Sequence, residues 1–438
     1  MVGIAPEIKK DFLGCFLKMQ REYGDLVRYP AIGRYGYQLN HPDYVKHVLQ
    51  DNHKNYRKSN AVVSRMEEVV GDGLLTSNGD LWIRQRRLAQ PAFHRKRVAA
   101  YGRIMTNAAA EMLAGWHAQS EPIDIAAETM RLTLKVAGLT LFGLDLTHRA
   151  GDIDEAFSKV SEELANFPTY YLLLRALLPR LPLSKPRNQR FDEGMARLEA
   201  VVQSIIDRRR QDNSEHDDLL AMFMEVRDEE TGQGMTDQQL RDEVMTMLLA
   251  GHETTSLALS WTFYLISQHP DAEKALHEEL EHALTGHIPT VDDLPKLTYT
   301  RCLIEESMRL YPPAHSFNRQ AIAEDSIDGY SIPAGAHMLI QPYVVHRHPE
   351  FWHEPERFDP ERFSPQSARD RHRYAYLPFG GGPRQCIGAG LAMNELLLVT
   401  ATIAQRFTLR SVPDRPVEPQ PHVTLRPKGG LWMYVRPR

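Results

Sequence analysis

The sequence has few cysteines. Among 438 residues only Cys15, Cys302 and Cys386 carry a thiol. Three cysteines so far apart exclude a disulfide framework and a zinc site built from several thiolates. A low thiol content is typical of proteins from a reducing compartment, so we expect a cytoplasmic location.

Long apolar runs are missing as well. Charged residues recur throughout residues 1–25, which leaves no uninterrupted core for a signal peptide. The most apolar stretch, 169–183, falls well short of the roughly 20 apolar residues that a spanning helix needs, because it is interrupted by Arg175, Pro179, Arg180 and Pro182. We expect a soluble protein without a stable membrane anchor, apart from any segment removed from its N-terminus.

Neither sign of charge is in large excess. The chain has 52 Lys and Arg residues against 57 Asp and Glu residues, a net charge of −5. Nucleic-acid binding leaves a basic patch as its footprint, so we expect no nucleic-acid partner. The composition, 42% hydrophobic and 25% charged, is that of a folded globular protein. The length alone suggests two or three domains of about 150 residues each.

Helical patterns dominate the middle of the chain, and β signals are confined to short regions. Apolar residues on either side of a Pro/Gly turn predict a hairpin at 25–40, and short strands are predicted near 327–343 and 423–435. One long helix is predicted from a capping box of Thr236 and Gln239 to the stop at Pro270. It has about 32 residues and a length on the order of 48 Å. The sequence predicts a mainly α fold with small β-sheets.

The long helix has a weak point at its centre. Gly251 costs about 1 kcal/mol relative to alanine, and the β-branched Thr254 and Thr255 add a smaller penalty. The Thr254 hydroxyl can donate to the carbonyl of Ala250 and bend the helix. One interpretation is an incidental weak spot that neighbouring residues support. The other is a groove for a bound ligand, with the acid of Glu253 and the hydroxyl of Thr254 beside it.

A glycine-rich segment, 379–390, precedes an apolar helix predicted from Leu391 to about Ile403. Glycines let the backbone approach a ligand closely and adopt positive φ. Cys386 lies just before the helix, where free N–H groups stabilise a thiolate, and Arg384 adds positive charge. Three interpretations are open: a buried structural cysteine, a nucleophile whose histidine base cannot be identified from sequence, and a metal-bound thiolate. The third accounts for the glycines, the cation and the helix start together.

Residues 379–388 resemble the haem-binding signature of the cytochrome P-450 superfamily. That signature is Phe, two residues, Gly, one residue, Arg, one residue, Cys, one residue, Gly, and it is met by Phe379, Gly382, Arg384, Cys386 and Gly388. Four further motifs stand in the family's order: Trp82 with Arg86, Ala250-Gly251 with Glu253-Thr254-Thr255, Glu306 with Arg309, and Pro360-Glu361-Arg362-Phe363. The resemblance is to a soluble bacterial-type member and runs from about residue 24 to the C-terminus.

The resemblance implies a cytochrome P-450 fold, in which a long central helix crosses a buried haem. It implies one domain over residues 1–438 instead of the two or three that the length suggests. The β-rich part is expected at about 24–60 and 327–343, and the helical core at about 79–312 and 388–407. The implied cofactor is haem b, with Cys386 as the iron ligand. The other implied cofactor-binding residues are Phe379, Gly388, Arg384, Trp82, Arg86 and Arg319.

The implied activity is that of a monooxygenase, which inserts one oxygen atom from O2 into a hydrophobic substrate. In this family Thr254 and Glu253 would deliver protons. A kink at Ala250 and Gly251 would leave room for dioxygen. The chain has no space for a flavin or iron–sulfur module beside this fold, so the resemblance implies a separate ferredoxin or flavin reductase as electron donor. We expect a monomer.

Two charged motifs are implied to have other roles. Glu306 and Arg309 share one helix face, and in the family such a pair is buried, is joined by Arg362 and supports the haem core. The segment Arg95–Arg97 is a candidate docking patch for an acidic redox partner, and solvated surface charges explain it equally well.

The sequence narrows the substrate to a hydrophobic molecule. Mainly apolar stretches expected to line the pocket are 62–75, 167–178, 313–317 and 423–425, together with the region of Ala250. Segments 71–77 and 250–256 are most similar to members that oxidise fatty acids, while terpenoids, steroids and polyketides stay open. Arg34 on the hairpin could hold a carboxylate, although an exposed hairpin arginine is the commoner explanation.

Other functions would use parts of the same residue set. A peroxide-driven peroxygenase would keep the thiolate and bypass the redox partner. A non-catalytic haem-thiolate sensor would need the Cys386 segment without an acid and an alcohol on the helix. A cysteine hydrolase would bind no haem. Glu253 and Thr254 weigh against the first two, and the five ordered motifs weigh against the third.

Overall fold

The structure is a computed structural model that describes residues 5–31, 34–58, 66–116, 121–165, 188–212, 214–227 and 232–438. Helices predominate in these ranges, as the sequence predicts. They are α1 (Ala5–Lys10), α2 (Phe12–Tyr23), α3 (Pro42–Lys46), α4 (Gly79–Ala89), α5 (Arg95–Ala100), α6 (Gly102–Ala114), α7 (Ile125–Phe142), α8 (Ala150–Ala165), α9 (Gln189–Gln211), α10 (Leu219–Glu225), α11 (Asp237–Gln268), α12 (Pro270–Leu284), α13 (Thr298–Leu310), α14 (Pro342–Val345) and α15 (Ala389–Ala404). Residues 66–70 are helical too.

The strands are short. They are β1 (Leu26–Ala31), β2 (Arg34–Leu39), β3 (Tyr56–Arg57), β4 (Ile123–Asp124), β5 (Phe317–Ala321), β6 (Asp325–Ile327), β7 (Tyr330–Ile332), β8 (His337–Ile340), β9 (Phe407–Ser411), β10 (Pro419–Pro421), β11 (Leu425–Pro427) and β12 (Trp432–Pro437). Across the part of the chain that the structure describes, no helix combines the length and the apolar character needed to span a bilayer.

The largest sheet joins two regions that lie far apart in the sequence. Its strand order is β1-β2-β8-β5-β3. β1 and β2 form the predicted hairpin, with Leu26 opposite Leu39, and β2 continues in parallel with β8. The predicted strand region 327–343 ends early, because Pro342 lacks an N–H and begins helix α14 instead. At the C-terminus β10 and β11 form a hairpin, with Gln420 opposite Arg426.

The central helix, α11, has the predicted limits. At its start the Gln239 N–H donates to Thr236 Oγ1 at 3.2 Å, and the Thr236 N–H donates to Gln239 Oε1 at 3.0 Å. It ends at Gln268, ahead of Pro270, after 32 residues. The helix is unbroken through Ala250 and Gly251, so the expected kink does not interrupt it.

Buried hydroxyl groups lie at the contact between the central helix and α7, and they show which face of the central helix packs on α7. Thr129 Oγ1 lies 3.0 Å from both Ser256 Oγ and Ser260 Oγ. Thr133 Oγ1 donates to the carbonyl of His252 at 2.9 Å. With about 100° of rotation per residue, these contacts place Ala250 and Thr254 on the opposite side of the helix.

A buried ion pair lies under the segment that leads to Cys386. Arg309 donates to both carboxylate oxygens of Glu306, from Nε at 2.6 Å and from Nη2 at 2.8 Å, and both side chains are fully buried. The Nε atom of Arg362 lies 3.5 Å from Glu306, which confirms the implied three-residue arrangement. The carbonyl of Arg309 accepts from the ring of His346, whose other nitrogen accepts from the Leu377 N–H at 2.9 Å. Burial and the charge of Arg309 lower the pKa of His346 to about 3, so this ring is neutral.

Candidate active site

The Cys386 loop, residues 379–388, folds back on itself ahead of α15. The Cys386 N–H donates to the carbonyl of Phe379 at 2.9 Å. Gly382 has a φ of +66°, and a side chain there would collide with the backbone of Leu49. A Cβ at Gly388 would lie 4.0 Å from Cys386 Sγ. The predicted helix follows, with Gly388 at its N-cap and Ala389 as its first residue. Glycine is therefore required by backbone geometry and contact at Gly382 and keeps the approach to the sulfur open at Gly388.

The Cys386 thiol lies deep in the fold yet keeps accessible surface. Burial raises its pKa, against the opposing effects of the Gly388 N–H and the Arg86 guanidinium. The expectation that Arg384 supplies the charge beside the sulfur is wrong: its guanidinium donates to the Ser77 carbonyl at 2.7 Å and stacks on Trp82, with 4.0 Å to the ring centroid. Burial outweighs the local positive charge, so the protein alone keeps this group a thiol.

Four cationic side chains lie near one another on the inner side of the Cys386 loop: Lys58, Arg86, Arg319 and Arg384. Arg86 donates from Nη1 to the Gln385 carbonyl at 2.8 Å. Burial and the neighbouring arginines lower the pKa of Arg384 to about 9, and burial lowers that of Arg319 to about 10. Lys58 lies near Arg319 and Arg384, and burial and those charges lower its pKa well below the usual range. Within the described ranges no carboxylate pairs with Lys58, Arg319 or Arg384.

This donor set fits a haem. Buried charges are normally paired, so cations without a carboxylate partner among the described residues favour the binding of a ligand that carries anionic groups. The two propionates of haem b would supply such charges, and the Cys386 thiol, which lies deep in the fold but keeps accessible surface, would supply an iron ligand. A metal also removes the proton of a thiol that coordinates it, so a bound iron would make Cys386 a thiolate in spite of its raised pKa. Lys58 is a member that sequence reasoning missed, because an isolated lysine after a two-residue strand belongs to no motif.

One apolar cluster connects the central helix to the Cys386 loop. Leu248 and Leu249 belong to it, and Ile387, Leu391 and Val423 pack against it. Ala250 is exposed although Leu249 before it is buried, and Gly251 and Thr254 are half-buried. The Thr254 hydroxyl donates to the carbonyl of Ala250 at 2.8 Å, as predicted from the sequence. Ala250 and Thr254 therefore face open space inside the fold, as the ligand-groove interpretation expects.

Glu253 lies on another side of the helix. It is 1% exposed and accepts from Thr424 Oγ1 at 2.8 Å and from Arg426 Nε at 2.6 Å. Arg426 in turn donates from Nη1 to Ser158 Oγ at 2.8 Å, which links the β10–β11 hairpin to α8. The acid and the alcohol that the sequence places side by side have different surroundings, since one is ion-paired and the other faces open space. No signal in the sequence identifies Arg426 or Thr424 as partners of Glu253.

The expected pocket walls are described in part. Segments 66–75, 313–317 and 423–425 are described, whereas 62–65 and 167–178 lie outside the described residues. The side chain of Arg34 is also outside them, so its expected role stays a prediction. A cavity of about 820 Å³ lies along α4 and α5, bordered by Trp82, Ile83, Arg86, Arg87, Gln90, Pro91, His94, Lys96 and Arg97. Arg97 is not a free surface charge, because it pairs with Asp217.

Comparison with known proteins identifies the family. The family model "Cytochrome P450" matches residues 1–433. Cyclooctatin synthase of Streptomyces melanosporofaciens is 38% identical over 97% of this chain and 91% of its own length. Cyclooctat-9-en-7-ol 5-monooxygenase of the same organism is 37% identical over 91% and 85%. Pentalenene oxygenase of Streptomyces avermitilis is 33% identical over 92% and 88%.

The fold gives the same result. The solved haem domain of cytochrome P450DA superposes with a TM-score of 0.85 and 26% identity, over 97% of this chain and 93% of that one. The mainly helical architecture with small sheets is therefore that of a P-450 haem domain. Members of this family bind haem b and are oxidoreductases that incorporate oxygen. The chain belongs to the cytochrome P-450 family of monooxygenases.

Proposed function

We propose that this protein inserts one oxygen atom from O2 into a terpenoid-like hydrophobic substrate, with electrons from a separate ferredoxin or flavin reductase. The observation that carries the proposal is the accessible Cys386 thiol, near a group of cations that have no carboxylate partner among the described residues. The residue after it, Ile387, packs on the apolar cluster of the central helix. Bound by a thiolate, haem b supplies the activation of dioxygen.

The residues divide into those that hold the cofactor and those that act on the substrate side. Cys386 would bind the iron, and Gly388 would leave the space beside the sulfur free of a side chain. Phe379 closes the loop through its carbonyl. The propionates would be held by four cations and by the indole N–H of Trp82. The cations are Lys58, Arg86, Arg319 and Arg384.

Protons are delivered by two groups with separate tasks. Thr254, on the open face, holds a hydroxyl at the surface where dioxygen is bound, and Ala250 and Gly251 leave room beside it. Glu253 is the proton store, held by Arg426 and Thr424 on the far side of the same turn. Arg426 holds this carboxylate in place, so proton transfer requires the Glu253 side chain to exchange partners.

We expect Glu253→Gln to reduce product formation by about 100-fold, the range of positioned acid–base groups. Reductant is still consumed, and a larger share of its electrons ends in hydrogen peroxide, because electrons still arrive while protons do not. The measurement is product and peroxide per reductant, with the solvent isotope effect, which rises. Glu278→Gln, on the exposed face of α12, is the matched control. Unchanged coupling in Glu253→Gln contradicts the assigned role.

The proposed substrate class is based on the names of the relatives and on the apolar residues expected to line the substrate pocket. Two relatives are named as oxygenases, one of pentalenene and one of the alcohol cyclooctat-9-en-7-ol, and a third is named cyclooctatin synthase. The described walls near Leu74 and Val423 are apolar. We therefore infer a terpenoid, either a hydrocarbon or one that already carries a hydroxyl, in preference to the fatty acid that segments 71–77 and 250–256 suggest.

We place the redox partner on the α4–α5 face. Arg95 and Lys96 are exposed there, and Ile83 is 53% exposed beside the cavity along α4. Since Arg97 is paired with Asp217, the surface charge comes from Arg95, Lys96 and their neighbours. A surface with cations around an exposed apolar residue suits an acidic partner protein.

The test uses haem-loaded protein with a ferredoxin and its reductase under ¹⁸O2. Reduction with carbon monoxide present gives a strongly red-shifted Soret band if the thiolate is bound. Farnesene, an isoprenoid hydrocarbon, is expected to gain one ¹⁸O atom and to react faster than dodecanoic acid. Absence of the shifted band overturns the haem-thiolate assignment. Turnover only with added peroxide supports the peroxygenase, and binding without any turnover supports the sensor.

A further inference from the structure

A fully buried carboxyl on the central helix lacks hydrogen-bond partners. Glu243 is 0% exposed, and neither of its carboxyl oxygens is hydrogen-bonded among the described residues. The Leu74 N–H faces the carboxyl without reaching hydrogen-bond geometry. Thr246, one turn further and 4% exposed, has an unpartnered hydroxyl as well. Buried polar groups are nearly always hydrogen-bonded, so two adjacent exceptions need an explanation.

Asp242, the residue before Glu243, differs from it because the Asp242 carboxylate has several hydrogen-bond donors. Asp242 accepts from the Arg241 guanidinium and from Gln238 Nε2, both at 2.8 Å, and from the Asp72 N–H at 2.9 Å. Asp242 thus attaches the segment 71–74 to the helix. Glu243 makes no such bond, which separates it from the residues that hold the fold together.

Helix geometry places Glu243 in line with the open face. Positions 243, 250 and 254 are separated by seven and four residues, so at 100° per residue they lie within about 40° of one another. Glu243 is about 10 Å along the axis from Ala250. Leu74 and Met247, which flank the pair, belong to the same apolar cluster as Leu249 at the candidate site. The carboxyl and the hydroxyl are therefore polar groups on an otherwise apolar wall.

We propose that Glu243 and Thr246 bind a hydroxyl group of the substrate and so fix which carbon lies at Ala250. The inference rests on the proposed function and names a finer class within it, a terpenoid that carries an alcohol about 10 Å from the carbon to be oxidised. Burial raises the pKa of Glu243 to about 7, so the carboxyl can donate as well as accept near neutral pH.

Segment 71–74 covers the pair in this structure. A Cβ at Gly73 would lie 2.5 Å from Thr246 Oγ1, so the segment passes directly over the hydroxyl. The substrate alcohol replaces this contact, and the segment moves outward as it binds. Neither Glu243 nor Thr246 is hydrogen-bonded to the segment, so the bond that this movement strains is the one from the Asp72 N–H to Asp242.

The test compares two probes on the haem-loaded protein: the alcohol farnesol and the hydrocarbon farnesene, which has the same number of carbons. Dissociation constants come from the spectral shift on titration. We expect wild type to bind farnesol about 10-fold more tightly than farnesene, the effect of one hydrogen bond in a dry site. Glu243→Leu is expected to abolish this preference, Thr246→Val to reduce it, and Glu243→Gln to retain most of it.

Two further measurements separate binding from folding. Met247→Leu, which alters only apolar volume on the same turn, is expected to leave the preference intact. Glu243→Leu is expected to keep or raise Tm, because it removes an unpartnered buried carboxyl. A lower Tm with an unchanged preference identifies Glu243 as structural and overturns the inference alone. Wild type that binds neither probe overturns the terpenoid class, and the inference falls with it.

Discussion

Cys386→Ser is expected to abolish monooxygenase activity and the red-shifted Soret band of the reduced carbon monoxide complex. A serine hydroxyl neither forms a thiolate nor donates electron density to iron as sulfur does. The loop itself is expected to persist, since its closure depends on the Cys386 N–H and the Phe379 carbonyl and not on the side chain. The measurements are the spectrum of the reduced protein and product formation with a redox partner.

The other two thiols supply the controls. Cys302 is buried next to Trp352 and Phe363, and Cys15 is buried with Phe16 and Met19, so both are packed apolar residues. Cys302→Ser and Cys15→Ser are expected to keep the red-shifted band and to lower stability only modestly. A red-shifted band that survives in Cys386→Ser contradicts the assignment of the iron ligand.

Because the pKa of the Cys386 thiol is raised, the spectrum of the reduced carbon monoxide complex distinguishes a metal-bound thiolate from a free thiol. Burial raises that pKa, while the Gly388 N–H and Arg86 oppose the shift without reversing it. A thiolate at this position is therefore expected to form through a bond to a metal and not through the helix start alone. A thiolate signature in the spectrum then reports the iron–sulfur bond itself.

Features encoded in short stretches could be predicted from the sequence. The capping box of Thr236 and the stop at Pro270 determine the limits of α11, because both act within one turn of the backbone. The contact between Thr254 and Ala250 has the same local origin. The spacing of Glu306 and Arg309 places both on one face of α13. Motif order then indicated the family, which the comparisons confirm.

Partners that come from distant segments and belong to no motif could not be predicted. Lys58 meets Arg384 across more than 300 positions, and Arg426 meets Glu253 across 173. Such contacts depend on how strands and helices pack, and a single arginine or lysine carries no spacing signal. The position of the Arg384 guanidinium could not be predicted for the same reason. Arg384 is close to Cys386 in the sequence, but its side chain stacks on Trp82. The assignment of one domain to residues 1–438 stays a prediction.

Arg309→Met is expected to destabilise the protein by about 3–5 kcal/mol, the cost of leaving one partner of a buried pair uncompensated. Burial already raises the pKa of Glu306, and Arg309 opposes that shift. Arg309 also donates to the carbonyls of His346 and Pro355, at 2.9 and 2.6 Å, and these would lose their donor. The measurement is denaturant unfolding of haem-loaded protein, together with the haem retained after purification.

The chain offers a matched control in Arg357 and Glu354, which are also three residues apart and 3.2 Å from each other, with 65% and 55% of the side chains exposed. Arg357→Met is expected to cost about 1 kcal/mol or less, because water screens an exposed pair. Residue types and spacing are the same, so the contrast measures burial together with the backbone hydrogen bonds that Arg309 makes. Glu306→Leu combined with Arg309→Met is expected to recover part of the loss, because the buried Glu306 carboxylate is then no longer left uncompensated. The recovery is partial because Arg362 loses the carboxylate that lies 3.5 Å from its Nε. Equal costs for Arg309→Met and Arg357→Met would show that the buried pair does not support the Cys386 segment through His346 and Leu377.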